Sequence, residues 1–252
     1  MNILVCVKRV PLTGGKITLT EDERAIQTRH LGFTVSPHEE CGAEEAIRLV
    51  EQHGGSSTVL TLGPPEAEEQ LRDMMAIGID RGIHLVTDGG EWDPQATAEA
   101  IVGAMGLGSE EPYDLLLFGN ESADAGNYQV PIRVAQALGV PCVTGIKAIT
   151  VDGDKLRCEQ EIPGGRDVYE LPMPAVVSVK EGINLPRYPS VPGRMRAKRK
   201  PVASSQPARP ESKLEMVRLV LPETSSKQAE VLGHGPEAAP AVVDVLQQIG
   251  VM

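Results

Sequence analysis

Along the first 145 residues the spacing of apolar positions changes again and again, marking strands and helices in alternation. Residues 3–7, Ile-Leu-Val-Cys-Val, are an unbroken apolar run of β-branched character, as in a strand buried on both faces. Residues 11–32 are irregular and polar, and read as a loop or hairpin. Ser36-Pro37-His38-Glu39 then opens a helix. Ser36 suits the N-cap, Pro37 the first helical position, and Glu39 completes a capping box. Ala43, Ala46, Ile47 and Val50 supply the apolar face at i, i+3, i+4, i+7, and Gly54-Gly55 stops the helix.

The alternation continues. Residues 57–62 read as a strand, and Gly63-Pro64-Pro65 turns the chain into a helix with Ala67, Leu71, Met74 and Met75 on one face. Residues 84–86 are a third strand, and Asp93-Pro94 starts a helix carrying Ala98, Ile101, Ala104 and Met105. Residues 113–118 are a fourth strand, followed by a loop over 119–126 and a helix to Leu138. This order predicts an α/β, Rossmann-like, mostly parallel sheet of right-handed βαβ units, with ligands beyond the carboxyl ends of its strands.

Beyond residue 145 the texture changes. Residues 146–151 and 155–162 flank Asp152-Gly153, a tight-turn signal. Gly164-Gly165 turns into 167–171, and 175–179 is a further apolar run. All of these are expected to finish the sheet as an antiparallel addition. Residues 184–195 hold three prolines and no clean period, and a basic run, Arg196-Ala197-Lys198-Arg199-Lys200, follows. Residues 201–213 resemble a linker. Residues 216–221 are expected to form one more strand, and 237–250 a last helix with Ala238, Val242, Val245 and Leu246 as its stripe. The expected division is a domain over 1–200 and a C-terminal arm over 201–252.

Composition narrows the function. A net charge of -11 argues against nucleic acid as the main partner, because phosphate binding needs clustered Lys and Arg. No run of about 18 apolar residues exists, so no membrane insertion is expected. The apolar N-terminus has no basic leader and reads as a strand rather than a signal peptide. The four cysteines, Cys6, Cys41, Cys142 and Cys158, form no C-x-x-C and suit a reducing, cytoplasmic setting. The five histidines lack metal-ligand spacing, so no metal is expected. Aromatics make up only 3% of the chain. A flavin site built by this chain alone would have few rings to stack on, which favours a cofactor shared with another chain.

Three constellations could carry chemistry. The first is the loop Gly119-Asn120-Glu121-Ser122-Ala123-Asp124-Ala125-Gly126-Asn127-Tyr128-Gln129-Val130, between a strand and a helix. An anion there meets backbone N–H groups and the helix dipole, while Ser122, Asn127 and Gln129 offer side-chain hydrogen bonds and Asp124 an acceptor for a ribose. A polar turn capped by Asp124 meets the same spacing. The second is Leu62-Gly63-Pro64-Pro65, where the glycine would let a nucleotide approach the backbone; a plain strand-to-helix turn explains it equally. The third is Lys8-Arg9 after the first strand, facing phosphates, a flavin edge or only solvent. No G-x-G-x-x-G, P-loop or nucleophile motif occurs, and no catalytic residue is assigned.

Several of these blocks occur together in one order. Val7-Lys8-Arg9-Val10-Pro11, Ser36-Pro37 with Ala43-Glu44-Glu45-Ala46-Ile47-Arg48-Leu49, Met75-Ala76-Ile77-Gly78-Ile79-Asp80-Arg81-Gly82 and the loop 119–130 lead to Leu171-Pro172-Met173-Pro174-Ala175-Val176-Val177-Ser178. Asn184-Leu185-Pro186-Arg187-Tyr188-Pro189-Ser190-Val191-Pro192, with Met195, Ala197 and Lys198, closes the series. Over nearly the whole chain this resembles the electron transfer flavoprotein beta family. The resemblance implies an adenine nucleotide alpha hydrolase-like fold and a heterodimer with an alpha subunit that holds most of an FAD, which beta partly covers. It implies an AMP at Cys6, Ser36, Pro37, His38, Glu39, Leu62 and 119–130. It also implies a recognition segment over 182–200, with Arg187, Tyr188, Val191 and Met195 toward partner dehydrogenases. Electrons would arrive from acyl-CoA or other flavin dehydrogenases, as in fatty acid oxidation, and leave to a quinone oxidoreductase. The sequence departs from the family at Gln160 and Pro163, at Asn120-Glu121, at Tyr128, at Val191 in place of a common Leu, and at Thr13, near where some members place a Tyr over the flavin. Two other readings stay open: a bifurcating relative with a second FAD in place of AMP and use of NADH, and a stand-alone nucleotide-binding module.

Overall fold

The computed structural model describes residues 1–12, 14, 17–107, 111–222 and 229–251. Thr13 lies outside the described residues. Two compact units are present, Met1–Val217 and Arg218–Met252. Among the described residues of the first, eleven strands and five α-helices follow the chain: β1 (Asn2–Val7), β2 (Val10–Pro11), β3 (Phe33–Thr34), α1 (Pro37–His53), β4 (Ser56–Gly63), α2 (Glu68–Ile77), β5 (Arg81–Val86), α3 (Pro94–Gly103), β6 (Leu115–Gly119), α4 (Val130–Leu138), β7 (Cys142–Asp152), β8 (Lys155–Ile162), β9 (Gly165–Pro172), β10 (Ala175–Val179), α5 (Val191–Ala197) and β11 (Val202–Ser205). Nine of the strands form one sheet in the order β11-β5-β4-β1-β6-β10-β7-β8-β9, while β2 and β3 pair separately.

The sheet is parallel from β11 through β10 to β7, and antiparallel only at β7-β8 and β8-β9. Side chains of β1 alternate between two cores. Ile3, Val5 and Val7 pack with α1 and α2 residues such as Ala43, Ala46, Ile47, Leu71 and Met75. Leu4 and Cys6 pack with Ala98, Ile101, Val134 and Ala135 of α3 and α4. A parallel sheet covered on both faces needs strands that are apolar throughout, and the expected apolar stripes supply its two covers.

Three expectations are corrected. Residues 175–179 are not part of the antiparallel addition. All five are buried, and β10 lies between β6 and β7, parallel to both; an apolar run with no polar face belongs in the middle of a sheet. Residues 201–213 are not simply a linker, because 202–205 hydrogen-bond to β5 as the edge strand β11. The compact body therefore runs past residue 200. Residues 216–221 form no strand, and Met216, Val217, Val220 and Leu221 are exposed.

The segment 184–200, irregular by sequence, contains α5. Ser190 caps it by accepting from Gly193 N at 3.1 Å. Two helix ends hold each other here. Arg72 of α2 donates to the carbonyls of Ala197 and Lys200 at 2.7 and 2.8 Å. Lys200 Nζ donates back to Met75, Gly78 and Ile79 at the end of α2. Cations placed on orphan C-terminal carbonyls satisfy both hydrogen bonding and the helix dipole. The second unit contains α6 (Ala239–Gln248), which buries no residue and exposes Val242, Val243 and Val245.

Candidate functional site

Strand β1 lies between β4 and β6. From β1 the chain moves outward through β4 and β5, then crosses back to β6 on the other side. The order therefore reverses at β1/β6, and the crevice outside the carboxyl ends at such a point is where open α/β sheets bind ligands. Lys8, Leu62-Gly63 and Gly119 stand at the ends of β1, β4 and β6. The start of α1 reaches the same place. A Cβ added at Gly119 would lie 2.7 Å from Glu39 Cγ and 3.2 Å from His38 Cβ. Only a glycine lets the first turn of α1 settle on the end of β6.

Glu39 ties the rim together. One carboxylate oxygen accepts from Ser36 N at 2.9 Å, the expected box. The other accepts from Lys8 N at 2.9 Å, so a helix cap also fixes the end of β1. Burial pushes the Glu39 carboxyl up to about 8, against the two backbone N–H groups that favour its ionised form. Lys8 Nζ reaches Glu91 Oε1 at 2.7 Å and Asp124 Oδ2 at 2.8 Å. Burial opposes its charge, but these carboxylates win and raise its pKa. Burial would likewise raise Asp124, and the Lys8 ammonium holds it below the ordinary range. The Cys6 thiol, deep in the core, is pushed far up by burial and by Glu39. It acts as a wall rather than a nucleophile.

The loop 120–129 has no regular secondary structure. Gly126 and Tyr128 both sit at φ 55, a conformation that is unusual for tyrosine. Ser36 Oγ donates to Glu121 O at 3.1 Å, and His38 Nε2 lies 3.5 Å from Glu121 Oε1. Asn120 N donates to Val179 O at 2.9 Å. The structure thus brings Cys6, Lys8, Ser36, His38, Glu39, Gly119, Glu121 and Asp124 together. Gln129 points elsewhere: its Oε1 takes Arg133 Nη2 at 2.8 Å, and Val130 begins α4. Pro37, Ala123, Ala125 and Asn127 are exposed and Ser122 half-buried. Glu91 escaped the sequence reading. Its signal is Gly89-Gly90-Glu91, a glycine pair with an acid soon after the end of β5.

The segment 182–200 divides in two. Arg187 turns inward, its Nε 2.9 Å from the buried Glu44 and its Nη1 2.7 Å from Glu51. Tyr188, Val191 and Met195 are exposed at 95%, 77% and 56%, and Leu185, which is not among the four partner-facing residues the resemblance implies, at 90%. Among the described residues no cluster could hold a metal ion, and no helix is long and apolar enough to cross a membrane.

The fold and rim define a Rossmann-like α/β protein with charged and polar groups gathered at the carboxyl edge of its sheet and an exposed apolar segment over 185–195. The electron transfer flavoprotein domain family matches residues 25–210. Electron transfer flavoprotein subunit beta of Bacillus subtilis (strain 168) is 32% identical over 256 residues, 98% of each chain. The same subunit of Syntrophomonas wolfei is 39% identical over 223 residues, 88% of this chain and 86% of its own. The human subunit is 32% identical over 208 residues, 82% of each. The chain belongs to the electron transfer flavoprotein beta family.

Proposed function

We propose that this chain is the beta subunit of a heterodimeric electron carrier and holds an adenine nucleotide, AMP, at the rim. One observation carries the nucleotide reading: Lys8, the first turn of α1 and the loop after β6 meet at the switch point of the sheet. The side chains there suit such a ligand. Lys8, on release from Glu91 or Asp124, would be the cation for a phosphate, and Asp124 and Ser122 would take ribose hydroxyls. An FAD, held mainly by an alpha subunit and partly covered by this chain, supplies one-electron chemistry when bound.

Electrons would come from acyl-CoA or other flavin dehydrogenases and pass to a quinone oxidoreductase, in the cytoplasm. Leu185, Tyr188, Val191 and Met195 form the docking patch, with Val191 as anchor. Exposed apolar side chains grouped on one segment mark a protein contact. The residues beyond 217, with the apolar stripe of α6, would pack on the alpha subunit. The test is co-purification with an alpha subunit, followed by extraction of bound nucleotides. One FAD and one AMP per heterodimer supports the reading. Two FAD would assign the bifurcating type instead, and FAD with no second nucleotide would refute the rim site.

A further inference from the structure

The nucleotide loop and the docking segment share a side chain. His38 Nδ1 accepts from Glu181 N at 2.7 Å. Because Nδ1 must present its lone pair there, the ring proton sits on Nε2, which faces Glu121 Oε1 at 3.5 Å. Glu181 begins a stretch that runs along α1 and is fastened to that helix at two further residues. Asn184 Nδ2 donates to Cys41 O at 3.0 Å and to Glu45 Oε2 at 2.9 Å. Arg187 then closes on Glu44 and Glu51. Leu185 and Tyr188, both exposed, project from this fastened strap.

We infer that His38 is a positioning residue that couples the loop 119–130 to the docking strap 180–188, so that the state of the nucleotide site sets the order of the docking surface. The partner end rests on the docking reading above, but the coupling rests on these contacts alone. The imidazole cannot follow Glu121 without moving its acceptor away from Glu181 N. The other side-chain ties, from Asn184 and Arg187 to α1 and from Lys147 of β7 to Glu181 O, do not reach the loop. The imidazole is thus a side-chain link between the two segments, and energetic coupling needs such a shared, two-sided contact.

The test is amide hydrogen exchange across 180–188 in the heterodimer, since local opening reports order segment by segment. Glu121→Ala, which touches no strap residue, is expected to speed exchange at Glu181 by roughly threefold to tenfold, the range of contact-sized couplings. His38→Ala is expected to speed it at least as much, and the double variant no further. His38→Asn keeps an acceptor for the Glu181 N–H but does not reach Glu121, so its strap should exchange near the wild-type rate and ignore Glu121→Ala. Additive effects, or a strap indifferent to Glu121→Ala, would overturn the coupling. AMP added to the wild-type heterodimer should slow strap exchange. Retention of AMP is scored separately by mass after extraction, so failure to bind AMP counts against the nucleotide reading, while the variant cycle decides the coupling.

Discussion

Glu39 is buried and both of its oxygens are held by backbone N–H groups. With the carboxyl raised to about 8, the folded chain keeps a proton that the unfolded chain has already released above the ordinary carboxylate range. That stability is complete below the ordinary range and is lost as pH rises toward 8. Glu40 and Glu45 are raised in the same direction by burial. Thermal midpoints should therefore fall between pH 5 and about 8, and Glu39→Gln should flatten part of that decline; an unchanged slope would show that Glu39 is ionised throughout. Gly119→Ala should cost roughly 1–3 kcal/mol, the usual range for overpacking, because its new Cβ meets Glu39 at 2.7 Å. Denaturant unfolding measures it. The local half of the role of Glu39 was readable, since a capping box is a spacing of three. Its hold on Lys8 spans 31 residues and exists only once β1 and α1 meet.

At the scale of elements, the segment 184–195 is held by charge and presents apolar groups. Glu44 is almost fully buried while Arg187 is partly exposed. Arg187→Met would leave the buried Glu44 carboxylate only the N–H of residue 187; it should destabilise by about 1–3 kcal/mol, the cost of a buried acceptor losing its charged partner, and should speed proteolytic cleavage within 184–190. Val191→Asp should leave the thermal midpoint within about 0.5 kcal/mol of stability, as exposed substitutions do. It should also weaken electron acceptance from a dehydrogenase at least tenfold in kcat/KM; an unchanged value would move the anchor to Leu185 or Tyr188. The helices were legible because their caps and stripes are local. The parallel placement of β10 was not, because hairpins just before it suggested a meander, and only burial on both faces decides. Likewise α5 hides behind Pro189 and Pro192, although Ser190-Val191-Pro192 is a valid helix start. Strand β11 is four residues long and has no sequence signal apart from its partner β5.

For the whole molecule, the parallel sheet brings three distant segments to one rim, and the family supplies the context of an alpha subunit. The sequence pointed to the carboxyl ends of the strands, since each apolar run is followed by residues now found at the rim, but the reversal at β1/β6 is visible only in the strand order of the fold. Nor could the sequence supply the charge pattern: Glu91 joins Lys8 and Asp124 only through folding. The central claim is that this rim carries an adenine nucleotide in the assembled protein. The most direct measurement is the mass and stoichiometry of nucleotides released on denaturing the heterodimer. The account expects AMP at one equivalent beside one FAD. A heterodimer holding a full equivalent of FAD and no other nucleotide, even after incubation with excess AMP, would contradict it.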